Sequence, residues 1–134
     1  MNVYLDIDGV LLANEVHAAA GADEFLRTVI QKYPESTYWL TTHCWRGENR
    51  CIEILSPVLQ AETVALLPKI KPTEWGDLKT DAINFGQQFL WFDDDLLPDE
   101  AKALEQRHVS DSYVPVDLQT QPGQLLELTR KFFS

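Results

Sequence analysis

Two periods of apolar and polar positions run along the chain, and they predict an alternation of strands and helices. Val3-Tyr4-Leu5 is an apolar run that stops at Asp6 and Asp8. Thr37 to Thr41 is β-branched and aromatic and reads as a second strand. Thr63 to Leu67, closed by Pro68, reads as a short third strand. Phe89-Leu90-Trp91-Phe92 is continuously apolar, as a strand buried on both faces should be. Tyr113-Val114-Pro115-Val116 reads as a last strand, placed at an edge by its proline.

Between these runs the period lengthens to that of a helix. Phe25, Leu26, Val29, Ile30 and Tyr33 form one stripe, started by Gly21 or Asp23 and ended by Pro34. Arg50 to Leu55 is a short helix with Cys51, Ile52 and Leu55 inward. Asp77 caps a helix containing Leu78, Ala82, Ile83 and Phe85, with Gly86 as terminator. Pro98 opens a helix through about Arg107. Thr120 and Pro122 begin the last, with Leu125, Leu128 and Phe132 inward. Strand and helix thus alternate about five times, which predicts an α/β fold with an about five-stranded parallel sheet flanked by helices. Right-handed crossovers bring every strand's C-terminal end to one rim, where ligands of such sheets bind. Asp6 and Asp8, Thr41, and Asp93 and Asp94 all fall at expected strand C-termini.

Length and composition narrow the picture. A chain of 134 residues with a hydrophobic fraction of 45% suits one domain, residues 1–134, around one core. No apolar run approaches the roughly 18–20 residues that cross a bilayer, and the start lacks a secretion signal. A cytoplasmic protein without membrane contact is the default expectation. The net charge of −10 disfavours non-specific attraction to nucleic acid. Cys44 and Cys51 form no zinc-ligand pattern and are expected as reduced, partly buried thiols.

The chemistry concentrates at the first strand. Side chains two apart on a strand share a face, so Asp6 and Asp8 are expected to converge on one point. Gly9 then permits a sharp turn. Like charges so close do not both ionise cheaply without a counter-charge, and an all-oxygen site suits Mg²⁺.

The ordered set Val3-Tyr4-Leu5-Asp6-Ile7-Asp8-Gly9-Val10, Leu40-Thr41, Lys79 and Trp91-Phe92-Asp93-Asp94 resembles the four motifs of the haloacid dehalogenase (HAD) superfamily. The resemblance implies a Rossmann-like HAD fold and a phosphatase. It assigns Asp6 as the nucleophile that forms an aspartyl-phosphate. Asp8 becomes the general acid and base, with its main-chain carbonyl on the metal. Thr41 holds a phosphoryl oxygen. Lys79 neutralises charge, with Lys71 and Lys69 as alternatives. Asp93 ligates Mg²⁺ directly and Asp94 acts through water or by orienting ligands, so the implied metal set is Asp6, Asp8, Asp93 and Asp94. Gly9, Thr42, His43 and Arg46 are expected around the substrate, with Trp45 able to stack on a base.

Neither the stretch between Asp8 and Thr41 nor that between Leu67 and Lys79 has room for a folded cap, so the resemblance implies a member with no cap domain. An open site admits a large phosphorylated substrate; a small one needs a loop or partner subunit to exclude water. The runs Tyr38 to Cys44, Lys79 to Ile83 and Leu90 to Asp95 are further similar to the HAD domain of Swiss Army Knife RNA-repair proteins, which implies a nucleic-acid end as substrate. Two other readings compete: a phospho-accepting domain of the response-regulator type, and a catalytically silent binding module. In the former the acceptor Asp ends the third strand, where this chain has Leu67-Pro68.

Overall fold

The computed structural model describes residues 1–134. Four strands form the sheet: β1 (Asn2–Leu5), β2 (Thr37–Trp39), β3 (Phe89–Asp93) and β4 (Tyr113–Pro115). All pairings are parallel and the order is β2-β1-β3-β4. The two runs that carry acids at their ends, β1 and β3, are therefore the central neighbours. Leu5 lies opposite Phe92 in their register, so Asp6 and Asp93 emerge side by side.

Five helices cover the sheet: α1 (Ala22–Lys32), α2 (Cys51–Leu55), α3 (Ala61–Val64), α4 (Pro98–Gln106) and α5 (Gln124–Phe133). The two-residue period of the strands sorts their side chains between two cores. Val3, Leu5 and Phe92 face the larger, with Phe25, Leu26 and Val29 of α1 and Leu125 and Phe133 of α5. Tyr4, Phe89 and Trp91 face the smaller, with Leu104 of α4 and Ile83. No helix is long and apolar enough to cross a membrane.

Two expected elements differ. Thr63 to Leu67 is not a strand: Ala61–Val64 is helical and Leu67–Lys69 is a 3-10 turn. Thr63 and Leu67 are the fully buried positions there, and a spacing of four is one helical turn. The place beside β2 is taken by Lys71, whose N–H donates to the Thr37 carbonyl at 3.0 Å and whose carbonyl accepts from Trp39 at 2.8 Å. Pro68 and Pro72 bracket this contact and have no N–H to extend it. The sheet thus has four strands.

The helix expected after Asp77 is only a 3-10 segment, Lys79–Ala82. The Asn84 N–H donates instead to the Tyr4 hydroxyl at 3.0 Å, and the Gly86 N–H to the Asn84 side chain at 2.9 Å. These bonds draw the chain into a turn before a helix can propagate. Pro115 does lie on the edge strand, and Pro98 opens α4.

Candidate active site

The sheet's C-terminal rim begins where the backbone N–H of Asp6 donates to the Phe92 carbonyl at 3.0 Å. That bond sets Asp6, buried, beside Asp93, which is fully buried at the end of β3. Asp94 follows, and carboxylate oxygens of Asp6, Asp93 and Asp94 all lie within 4.8 Å of one another.

One cation answers this group. Lys79 Nζ donates to Asp93 Oδ2 at 2.7 Å and lies 3.5 Å from Asp6 Oδ1. Lys71 is turned away, its ammonium on the Glu35 carbonyl at 2.8 Å, and Lys69 is exposed in the turn before it. Burial and Asp93 push the Asp6 carboxyl well above its ordinary range, against the pull of Lys79. Asp94 is raised likewise, by burial and by Asp93. Burial works against the Lys79 charge, but Asp6 and Asp93 outweigh it and hold its proton more tightly than usual.

Asp93 is the best-held member. Its Oδ2 also accepts from the Trp91 indole at 3.1 Å, and its Oδ1 from the Asp95 N–H at 3.2 Å. Its backbone carbonyl accepts the Tyr113 hydroxyl at 3.1 Å. Lys79 is positioned in turn by Glu100, a buried carboxylate that accepts the Lys79 N–H at 2.8 Å and the Leu97 N–H at 3.0 Å. Glu100, Trp91 and Tyr113 were not expected at the site. For Glu100 the signal was weak: a Glu at the third helical position marks a capping box only behind a Ser or Thr cap, and Leu97 stands there.

Asp8 does not converge with Asp6. The strand ends at Leu5, so the alternation that would put both on one face stops too early. The Asp8 side chain is 62% exposed and its Oδ2 lies 2.8 Å from His43 Nε2. Only its main chain remains a candidate for the metal, and no backbone N–H donates to the Asp8 carbonyl. Gly9 takes a left-handed φ of 77°, and a Cβ there would meet Asp94 Oδ2 at 2.1 Å. Glycine at this position lets the turn close onto the carboxylates.

The loop after β2 runs along the same rim, since the Leu40 N–H donates to the Leu5 carbonyl at 2.8 Å. Thr41 is fully buried, and its hydroxyl accepts only a long bond, 3.4 Å, from the His43 N–H. Thr42 borders a small opening of about 190 Å³ with Trp75, Lys79 and Asp95. Arg46 stays apart from the carboxylates: its guanidinium lies over the Trp45 ring, 4.4 Å from the centroid. Behind this loop Cys44 and Cys51 are free thiols, as expected, and fully rather than partly buried. Contact with Cys51 and the Thr73 N–H holds the Cys44 thiol down at about 7 against the effect of burial.

With all three carboxylates ionised, the one ammonium leaves two negative charges, which a divalent cation would balance. The donors are all oxygen, the chemistry that suits hard divalent cations such as Mg²⁺, Ca²⁺ or Mn²⁺. Comparison with protein-family models, with curated proteins and with solved structures finds no match to this chain.

Proposed function

We propose that the protein is a Mg²⁺-dependent phosphomonoesterase with a Rossmann-like HAD fold, acting through an aspartyl-phosphate on Asp6. The observation that carries this reading is the buried Asp6 carboxylate just past the end of β1, 3.5 Å from the Lys79 ammonium and clustered with Asp93 and Asp94. Phosphoryl transfer requires a nucleophile, charge neutralisation and positioning, and little else.

Asp6, Asp93 and Asp94 would hold the cation, with the Asp8 carbonyl beside them. Bound there, Mg²⁺ supplies positive charge to the carboxylates and to the oxygens of the transferring phosphoryl group. A carboxylate oxygen of Asp6 attacks phosphorus and the bond to the substrate's alcohol oxygen breaks. Asp8 delivers a proton to that oxygen, then takes one from the water that hydrolyses the aspartyl-phosphate. Phosphate leaves and the Asp6 carboxylate is restored. Lys79 orients Asp6 and offsets charge on the phosphoryl oxygens. His43 orients the Asp8 carboxyl for both steps.

The test is Mg²⁺-dependent phosphate release from an aryl phosphate, nucleotides, sugar phosphates and 5′- or 3′-phosphorylated oligonucleotides. Release that disappears in Asp6→Asn supports the reading. A stable phospho-protein without release would favour a phospho-accepting regulatory domain, and neither signal would leave a binding module.

A further inference from the structure

A sizeable cavity borders Asp94, one of the three clustered carboxylates. It is a trough of about 530 Å³, within the range that takes up a small-molecule ligand. Gly9, Ala13 and Asp94 form its inner side, and the segment from Pro115 to Gln119 forms the outer wall. Gly9 and Asp94 are the members of the site that line it.

The outer wall is fixed, not a loose tail. The Val116 N–H donates to the Asp93 carbonyl at 2.9 Å, which ties the wall directly to the site. The Gln124 side chain clasps it twice, donating to the Pro115 carbonyl at 3.1 Å and accepting the Asp117 N–H at 2.7 Å. Asp117 in turn is set by Thr120, whose hydroxyl donates to Asp117 Oδ2 at 2.8 Å. Those bonds from Thr120 hold the Asp117 carboxyl below its ordinary range, so it stays ionised.

The lining has a consistent chemistry. It contains two carboxylates, Asp94 and Asp117, one free amide, Gln119, and apolar surface from Val116 and Leu118. No Lys, Arg or His faces it. The small opening at Lys79 offers no relief: its one cation is engaged by Asp6 and Asp93, and Asp77, Asp95 and Glu100 line it beside Thr42, Trp75 and Leu97. With Asp94 on the cation, the Asp117 carboxylate is the charge left uncompensated in the trough, so an anionic leaving group would meet like charge there, whereas hydroxyl or ammonium donors would find acceptors.

We infer that the trough is the leaving-group subsite, and that it selects small phosphomonoesters whose alcohol is uncharged or cationic and rich in hydrogen-bond donors, such as a polyol or an amino alcohol. The inference rests on the phosphatase reading and adds its substrate class. Asp117 and Gln119 are its specificity-determining residues.

The test compares kcat/KM of the full chain with Mg²⁺ on glycerol 3-phosphate, phosphoethanolamine, a nucleoside bisphosphate, a 5′-phosphorylated oligonucleotide and an aryl phosphate. The first two should exceed the bisphosphate and the oligonucleotide by about tenfold or more, the scale of one unfavourable charge contact. Asp117→Lys should narrow or reverse that ratio, chiefly through KM. Gln119→Lys, on the same exposed wall, should shift it the same way and guards against a folding defect in the first variant. Equal or better turnover of the oligonucleotide overturns the inference, as does a ratio that neither substitution moves; both leave the phosphatase reading intact. No release from any substrate, the aryl phosphate included, overturns both.

Discussion

Lys79 Nζ and Asp93 Oδ2 lie 2.7 Å apart in a largely buried ion pair that joins a 3-10 segment to the end of β3. The same ammonium lies 3.5 Å from Asp6, so Lys79 bridges the two carboxylates, and in the proposed mechanism it serves the nucleophile and its neighbour together. Removing one electrostatic donor of this kind costs about 10²–10³ in rate. Lys79→Ala should lose at least that in kcat. Lys71→Ala should leave kcat near wild type, because its ammonium is spent on the Glu35 carbonyl. Steady-state kinetics on an aryl phosphate distinguishes them, and the opposite order would move the role to Lys71.

Asp8 and His43 lie 2.8 Å apart, and the proposed mechanism gives this pair the acid–base step. Positioned general acid–base groups contribute about 10²–10⁴ in rate. Asp8→Asn should fall by that much. His43→Ala should lose less, since it removes only the group that orients Asp8, and His43→Gln should recover part of the loss. Wild-type kcat in Asp8→Asn would refute the acid–base assignment.

Gly9→Ala tests the turn. A left-handed backbone costs a residue with a Cβ about 1–2 kcal/mol, and here the added methyl also strikes Asp94. The variant should melt lower and bind Mg²⁺ more weakly. Calorimetry with and without the ion reads both, and an unchanged melting temperature would show that the turn tolerates a side chain.

The carboxylate cluster makes stability depend on pH in a stated direction. Asp6 and Asp94 are both raised by burial and by Asp93. Between the ordinary carboxylate value of about 4 and their raised values, the folded chain binds more protons than the unfolded chain. Metal-free stability should therefore fall as pH rises through that window. Asp6→Asn removes one such group, so its stability relative to wild type should improve as pH rises. Mg²⁺ binds the ionised form, so its stabilisation of wild type should grow with pH, reaching about 2.7 kcal/mol at a hundredfold excess over Kd. Thermal melts at acid and neutral pH measure this; stabilisation by Mg²⁺ that is equal at both would contradict it.

The central architecture was legible because β1 and β3 are apolar runs that end abruptly in acids, a pattern only a buried strand leading to a polar rim produces. The third strand was misread because Val64-Ala65-Leu66-Leu67 suits either period, and the prolines on both sides of Lys71 decide pairing only in three dimensions. Asp8 was misplaced because the sequence does not mark the strand's end at Leu5, after which alternation no longer applies. Its partner His43 is 35 residues away, and their pairing depends on how β2 sits beside β1. Glu100 was invisible for a related reason: its bond to the Lys79 backbone crosses 21 residues and two elements. Local pattern locates strand ends well, but which side chains meet on the rim is settled by packing between elements.

The measurement closest to the central claim is the mass of the peptide containing Asp6 after acid quench during turnover of an aryl phosphate with Mg²⁺. A phosphoryl group on Asp6, absent without Mg²⁺ and absent in Asp6→Asn, is the result predicted. Phosphate release that proceeds with no phosphoryl group ever found on Asp6, and that survives Asp6→Asn, would contradict it.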